Sequence, residues 1–251
     1  MTFDSGYTVY RNKDKSKFIS SGDSALDELL KGGFHKDLVY LLYGNEKITT
    51  NILLTTSVIS QKSFLEGGLG ENIKVAFIDG SNRFNPYNIS KFAVSQNLSP
   101  RKVLENILIS RAFTWDQMVE ILENRLVLLE DIKLLLISGI TMLFQTYEKQ
   151  MFEDLLSAIS GIKKFLNSSK PLIILTAPLH ECSSFRPRGG KIISHFGNVL
   201  VLIEETDRLI KYSLIQHPYL PENHVLKWKP RKSKINPSAS SKNMTLDCWM
   251  K

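Results

Sequence analysis

Cysteine is nearly missing from this chain: Cys182 and Cys248 are the only two among 251 residues. They lie far apart, which excludes a disulfide framework and a cysteine zinc site. The histidines (His35, His180, His195, His217, His224) show no metal-ligand spacing, so no metal centre is expected. Long apolar runs are missing as well. None reaches the roughly 18–20 residues of a membrane span. Residues Met1 to Gly6 lack the basic-then-apolar pattern of an export signal, so an intracellular, cytoplasmic protein is expected. No nucleophile–base constellation stands out. What is present suits one α/β domain: 43% hydrophobic residues, enough for a buried core. The formal charge of +7 permits an anionic partner such as nucleic acid, though basic proteins are common.

One stretch organises the rest. The apolar run Leu38 to Tyr43 meets Gly44, then Asn45 to Thr50, then the apolar-rich Ile52 to Ile59. Strand, glycine turn and helix is the layout of a phosphate-binding loop, which reads G-x-x-x-x-G-K-[ST]. Gly44 holds the first glycine position. Thr49 holds the second, Thr50 the lysine position and Asn51 the hydroxyl position.

Before it, Asp23 or Ser24 caps a helix with Leu26, Leu29 and Leu30 on its apolar stripe, and Gly32-Gly33 stop it. After it, apolar runs alternate with helical patterns. Strands are expected over 73–79, 107–110, 132–137 and 171–176. Helices are expected over 86–96, 100–105, 115–130 and 147–167. Three further strands with short connections, 199–204, 209–215 and 225–228, predict an antiparallel addition at a sheet edge. Alternation of this kind predicts a mostly parallel sheet with helices on both faces. Ligands then sit beyond the strand ends at Gly44, Asp79, Ser138 and Thr176. Residues 1–19 read as an arm, 20–229 as the folded domain, and 230–251 as a basic disordered tail ending in a small apolar cluster at Leu246, Trp249 and Met250.

Several stretches together resemble the ATPase core of the RecA/RadA recombinases, and above all archaeal RadA, RadB and their paralogues. Ser21-Gly-x-x-x-Leu-Asp-x-Leu-Leu-x-Gly-Gly33 is similar to the family's lead-in to the phosphate loop. Asp79 to Pro86 resembles D-T-E-G-x-F-R-P. Asn106 to Phe113 resembles N-I-x-x-A-R-A-F, and Ile132 to Phe144 resembles V-K-L-L-I-V-D-S-L-T-x-L-F. Arg186-Pro-x-Gly-Gly190 with Ser194-His195 resembles R-P-x-G-G-x-x-x-x-H, and His217 to Glu222 resembles S-P-x-L-P-E. The matches run collinearly from about residue 20 to 228. The resemblance implies a RecA-like three-layer core with antiparallel strands added near the C-terminus. The family's separate N-terminal DNA-binding domain has no counterpart in these residues, and its filament-forming F-x-x-A motif is not found in residues 1–20. An end-capping or heteromeric role fits better than a homofilament.

The departures fall on the family's chemistry, at its Walker A and Walker B motifs. Thr50 replaces the phosphate-loop lysine, Ser138 the magnesium-side carboxylate, and Ser81 the glutamate that orients the attacking water. Each role needs its charge. The expectation is therefore a pseudo-ATPase that is not an enzyme and holds neither ATP nor magnesium. Lys47 is a substitute phosphate contact or a solvated loop lysine.

The loop 177–190 falls where the family has its second DNA-binding loop. Arg186, Arg188 and Lys191, with His180 and Phe185, would hold the backbone of single-stranded DNA and stack a base. The plain alternative is a solvated basic loop. Lys229, Arg231 and Lys232 begin a basic tail that adds affinity for DNA or merely solubility. Pro218 and Pro221 match the segment that caps the ATP of a neighbouring subunit, although prolines there shape a turn in any case. The resulting expectation is a non-catalytic RadA-family paralogue in recombination and repair. It would bind single-stranded DNA and, as a hetero-oligomer, a recombinase or another paralogue. The alternatives are a divergent ATPase completed by a neighbouring subunit and a scaffold that needs no DNA.

Overall fold

The computed structural model describes residues 18–144 and 149–229. The arm up to residue 17, the basic tail with Arg231 and Lys232, its apolar cluster, and residues 145–148 lie outside the described residues.

A sheet of eight strands forms the centre. Six run parallel: β3 (Val39–Gly44), β4 (Lys74–Asp79), β5 (Ile107–Arg111), β6 (Ile132–Ser138), β7 (Leu172–Ala177) and β8 (Val199–Glu205). Two antiparallel strands, β9 (Leu209–Gln216) and β10 (Asn223–Trp228), extend one edge. The order is β10-β9-β8-β3-β7-β6-β4-β5. A separate two-stranded ribbon joins β1 (Phe18–Ile19) to β2 (Phe34–His35), so the last two residues of the expected arm belong to the fold.

The central strands are buried on both faces, which explains their continuous apolar runs. One face is covered by α1 (Ser24–Leu29), α2 (Glu46–Ile59), α3 (Pro86–Ser95) and α4 (Pro100–Glu105), packed on residues such as Leu42, Phe77, Leu136 and Ile203. The other is covered by α5 (Trp115–Glu120), α6 (Lys149–Ser169) and α7 (Gly190–Phe196), packed on Leu41, Ile78, Leu135 and Leu202. This is the expected α/β, RecA-like three-layer core with antiparallel strands added near the C-terminus. No helix among the described residues is long and apolar enough to cross a membrane.

Two local expectations are corrected, and one helix had no expectation. The helix expected over 115–130 changes winding: α5 passes into a π-turn over Ile121–Arg125 and a 3-10 turn over Leu126–Leu128. The periodicity of Met118, Ile121, Leu122 and Leu126 concealed this, because one added residue per turn keeps them on the same side. α7 carries too short an apolar pattern to be read in advance. The second correction lies at the organising turn.

Candidate functional site

No loop stands between β3 and α2. Gly44 ends the strand, Asn45 caps the helix, and Glu46 is already helical. The Asn45 side chain accepts from the Ile48 backbone N–H at 3.0 Å, satisfying a donor that a phosphate loop would leave for its ligand. Glu46 places a carboxylate at the positive end of the helix. Gly44 has φ of +115°, and the Asn45 N–H donates to the Ile203 carbonyl at 2.8 Å. The expected loop over 45–50 is thus the first turn of α2. No glycine or proline after Gly44 opposes helix formation.

Thr49 and Thr50 are buried on α2, with the Thr49 hydroxyl donating to the Glu46 carbonyl at 3.2 Å. Asn51 and Lys47 are exposed. Lys47, Thr50 and Asn51 line one wall of an open cleft of about 370 Å³, and Asn82, Arg83 and Asn88 belong to the other. The Arg83 guanidinium reaches Glu46 at 3.1 Å. Across β8, Glu205 accepts from Asn45 at 2.7 Å and pairs with Lys229 at 2.6 Å. Its carboxyl lies below the usual range because of the Lys229 hydrogen bond and charge, which outweigh the small burial effect, with help from Asn45 and Lys47. Lys229 also donates to the Thr206 carbonyl at 2.6 Å, so it braces the β8–β9 turn.

Ser81 and Ser138 meet. Their hydroxyls lie 2.6 Å apart, and Ser81 donates to Asp79 at 3.1 Å. A hydroxyl has one proton, so Ser138 donates to Ser81 and the chain of bonds runs to the carboxylate. Asp79 is fully buried, accepts from the backbone of Arg83 and Phe84, and faces Arg111 at 3.5 Å. The two serines are therefore brought together. Gly44 stands apart from Ser138, because β7 separates β3 from β6.

The turn after β3 departs in shape from a phosphate loop. Its helix N-terminus is capped by Asn45, and Glu46 stands in the first turn. Among the described residues, no group of three His, Cys, Asp or Glu is placed to hold a metal ion.

The loop after β7 stands over the opposite face from α2. Tyr43, whose ring packs with Leu41 and Leu202, donates its hydroxyl to the Phe185 carbonyl at 3.1 Å. Burial, with the Glu204 charge, pushes that phenol up to about 12, so it stays a donor. Thr141 donates to the Arg188 carbonyl at 2.9 Å, and Leu179 bridges Pro187. On this frame Phe185, Arg186 and Lys191 are exposed, Phe185 by 72%. Arg188 is different: its side chain is only 16% exposed and pairs with Glu181. His180 is half-buried, with Nδ1 accepting from the Cys182 N–H at 3.1 Å. Both hold the loop's shape.

Pro218 and Pro221 lie on the exposed β9–β10 connection at the other end of the sheet. There Tyr219 and Leu220 border a small apolar cavity of about 110 Å³ with Phe18, His35 and Leu38. His217 accepts from the backbone of Tyr219 and Leu220 at 3.0 Å each, a clasp that sequence reading missed.

A sequence profile of the Rad51 family matches residues 12–168, more than half of the chain. The DNA repair and recombination protein RadA of Cenarchaeum symbiosum (strain A) is 33% identical over 147 residues, covering 57% of this chain and 36% of that protein. The DNA repair protein RAD51 homolog 1 of Arabidopsis thaliana is 25% identical over 241 residues, covering 88% and 69%. The meiotic recombination protein DMC1 homolog of Glycine max is 25% identical over 225 residues, covering 81% and 64%. The matched region spans 36% to 69% of the length of these relatives.

These matches overturn the expectation that the chain is not an enzyme. That expectation rested on Thr50, Ser81 and Ser138 alone. The chain instead aligns with recombination proteins whose shared core is the one the sequence resembles, an ATPase, and no described residue is a positive mark of inactivity. The departure in shape described above is a local property of the turn after β3.

Proposed function

The chain belongs to the Rad51 family, and on that premise we propose that it works in homologous recombination and DNA repair, binding single-stranded DNA and assembling with a recombinase or another member of its family. The observation that carries this reading is the loop after β7. It offers an exposed aromatic, Phe185, beside two exposed cations, Arg186 and Lys191, on a frame fixed by Tyr43 and Thr141. Aromatics stack on any base, and cations replace condensed counterions along the phosphates. A fluorescence anisotropy titration with labelled oligo(dT) tests it. Binding weakens with salt, and Arg186→Ala lowers the slope of log K against log[salt] by roughly 0.7. Wild-type protein that fails to bind oligo(dT), alone and with its recombinase, removes the DNA half of the proposal.

A second reading has its own observation. The cleft beside α2 brings Lys47 and Arg83 to facing walls. In this reading a neighbouring subunit completes an ATP site there. Titration of a fluorescent ATP analogue with magnesium, in the presence of the partner recombinase, decides it. An absence of binding at high micromolar analogue removes it.

A further inference from the structure

Tyr43 carries a hydroxyl that its place in the sheet does not call for. It is the next-to-last residue of β3, in register with Ala177 of β7 and Leu202 of β8. Its ring is buried in the apolar layer on the face that α6 and α7 cover. The same place in β4 and β6 holds Ile78 and Ile137, which are purely apolar. A buried hydroxyl costs free energy unless it is bonded. The Tyr43 hydroxyl finds its partner outside the layer, donating to the Phe185 carbonyl. Burial keeps the phenol protonated at neutral pH, so the donor is present under ordinary conditions.

We infer that Tyr43 is a positioning residue for DNA binding, whose hydroxyl holds Phe185 in the orientation that stacks a base. This rests on the DNA reading proposed above and adds how the stacking ring is held. The loop is a narrow hairpin. Its neck is closed by the Arg188 N–H on the Pro178 carbonyl and the His180 N–H on the Arg186 carbonyl, both at 2.8 Å. Phe185 lies beyond that neck with its side chain largely in solvent, so packing does little to orient it. Two bonds act on residue 185 itself. Its N–H donates to the Ser183 hydroxyl at 3.3 Å, and its carbonyl accepts from Tyr43 at 3.1 Å. Ser183 belongs to the same loop and moves with it, whereas Tyr43 is fixed by pairing to strands on both sides. The Tyr43 bond therefore ties the backbone that carries the ring to the rigid sheet. A ring oriented before binding need not be ordered during it, which raises affinity without a new contact. Arg186 and Lys191 are not part of this bond and stay exposed without it. The effect of Tyr43 thus reaches DNA through the ring rather than through the cations.

Anisotropy titration of labelled oligo(dT) with the full chain tests this on Tyr43→Phe, Phe185→Ala and the double variant. Circular dichroism first confirms that each is folded. Should the core not tolerate Tyr43→Phe, Ser183→Ala, which removes the other bond to residue 185 from the surface, goes through the same cycle. Tyr43→Phe lowers affinity about fivefold, as loss of one hydrogen bond does. Phe185→Ala lowers it about tenfold. The double variant binds like Phe185→Ala alone, because without the ring there is nothing to orient. The slope of log K against log[salt] stays at the wild-type value in Tyr43→Phe, since no cation is lost. A general role in shaping the loop would instead lower that slope, or weaken binding further in the Phe185→Ala background, and either result overturns the inference. Tyr43→Phe that binds like wild type while Phe185→Ala has lost affinity also overturns it, and the loop reading then stands. If wild type does not bind at all, both fall.

Discussion

Gly44 shows how one position decides what the organising turn becomes. Its φ of +115° lies where side chains are strained, and an added Cβ would meet the Ile203 carbonyl at 2.2 Å. Gly44→Ala should therefore cost about 2–3 kcal/mol, read as a lower urea midpoint at unchanged m-value. Asp23 gives a second test at this scale. It caps α1 and accepts from Tyr212 at 2.8 Å and Lys227 at 2.7 Å. Burial alone would raise its carboxyl, but those hydrogen bonds and the Lys227 charge outweigh burial and hold it below the usual value. A depressed carboxyl stabilises the fold above the unfolded pKa and loses that contribution as pH falls through the folded one. Lys227→Met should remove on the order of 1 kcal/mol at neutral pH, and the deficit should shrink as the medium is acidified below about pH 4. A deficit that stays constant down to pH 2 would assign the loss to packing of the lysine stem instead.

The π-turn after α5 is explained by the helix it touches. Gly161 of α6 lies so close that a Cβ there would stand 2.2 Å from the Leu122 carbonyl. Alanine is worth roughly 1 kcal/mol more than glycine in a helix interior. Here the sign should reverse: Gly161→Ala should destabilise by about 2 kcal/mol, because the clash is with backbone rather than a movable side chain. Equilibrium unfolding in guanidinium decides it, and a stabilised variant would mean that the two helices separate easily. Nothing in the sequence announced this contact, since it depends on helix approach rather than periodicity. The strands were legible because burial on both faces makes them continuous apolar runs, as in Leu134 to Ile137. The turn after β3 was misread because family spacing suggested a loop, whereas capping by Asn45 and the bond to Ile203 favoured immediate helix. The resemblance assigned Ser81 and Ser138 to one site, and the pairing of β4 with β6 brings their hydroxyls together. The internal pairing of Arg188 with Glu181 was not foreseeable, because loop charges find partners only in three dimensions.

At the scale of the molecule, the two ends of the sheet carry different surfaces. The Phe185 loop and the cleft beside α2 stand at the end where the parallel strands finish, and the connection with Pro218, Tyr219 and Pro221 stands where β3 begins. Different surfaces at opposite ends suit head-to-tail rather than two-fold association. The His217 clasp makes this testable. Its Nδ1 must be unprotonated to accept from Tyr219 and Leu220. Burial, with repulsion from His35, lowers its pKa, and His35 itself lies 3.8 Å from Asp37. A histidine with a lowered folded pKa stabilises its surroundings above the unfolded value, and that contribution is lost as pH falls through the folded one. The clasp is therefore intact above about pH 6.5 and opens below it. If this connection docks on a neighbouring subunit, association with the recombinase proposed as its partner should weaken several-fold between pH 7.5 and 5.5. His217→Gln, which cannot gain the proton, should flatten that dependence. Sedimentation velocity across the range reads both effects. Oligo(dT) binding by the isolated chain should not follow the His217→Gln substitution, because the loop proposed to hold DNA lies at the other end. A pH profile of association that is unchanged by His217→Gln would remove this connection from the interface.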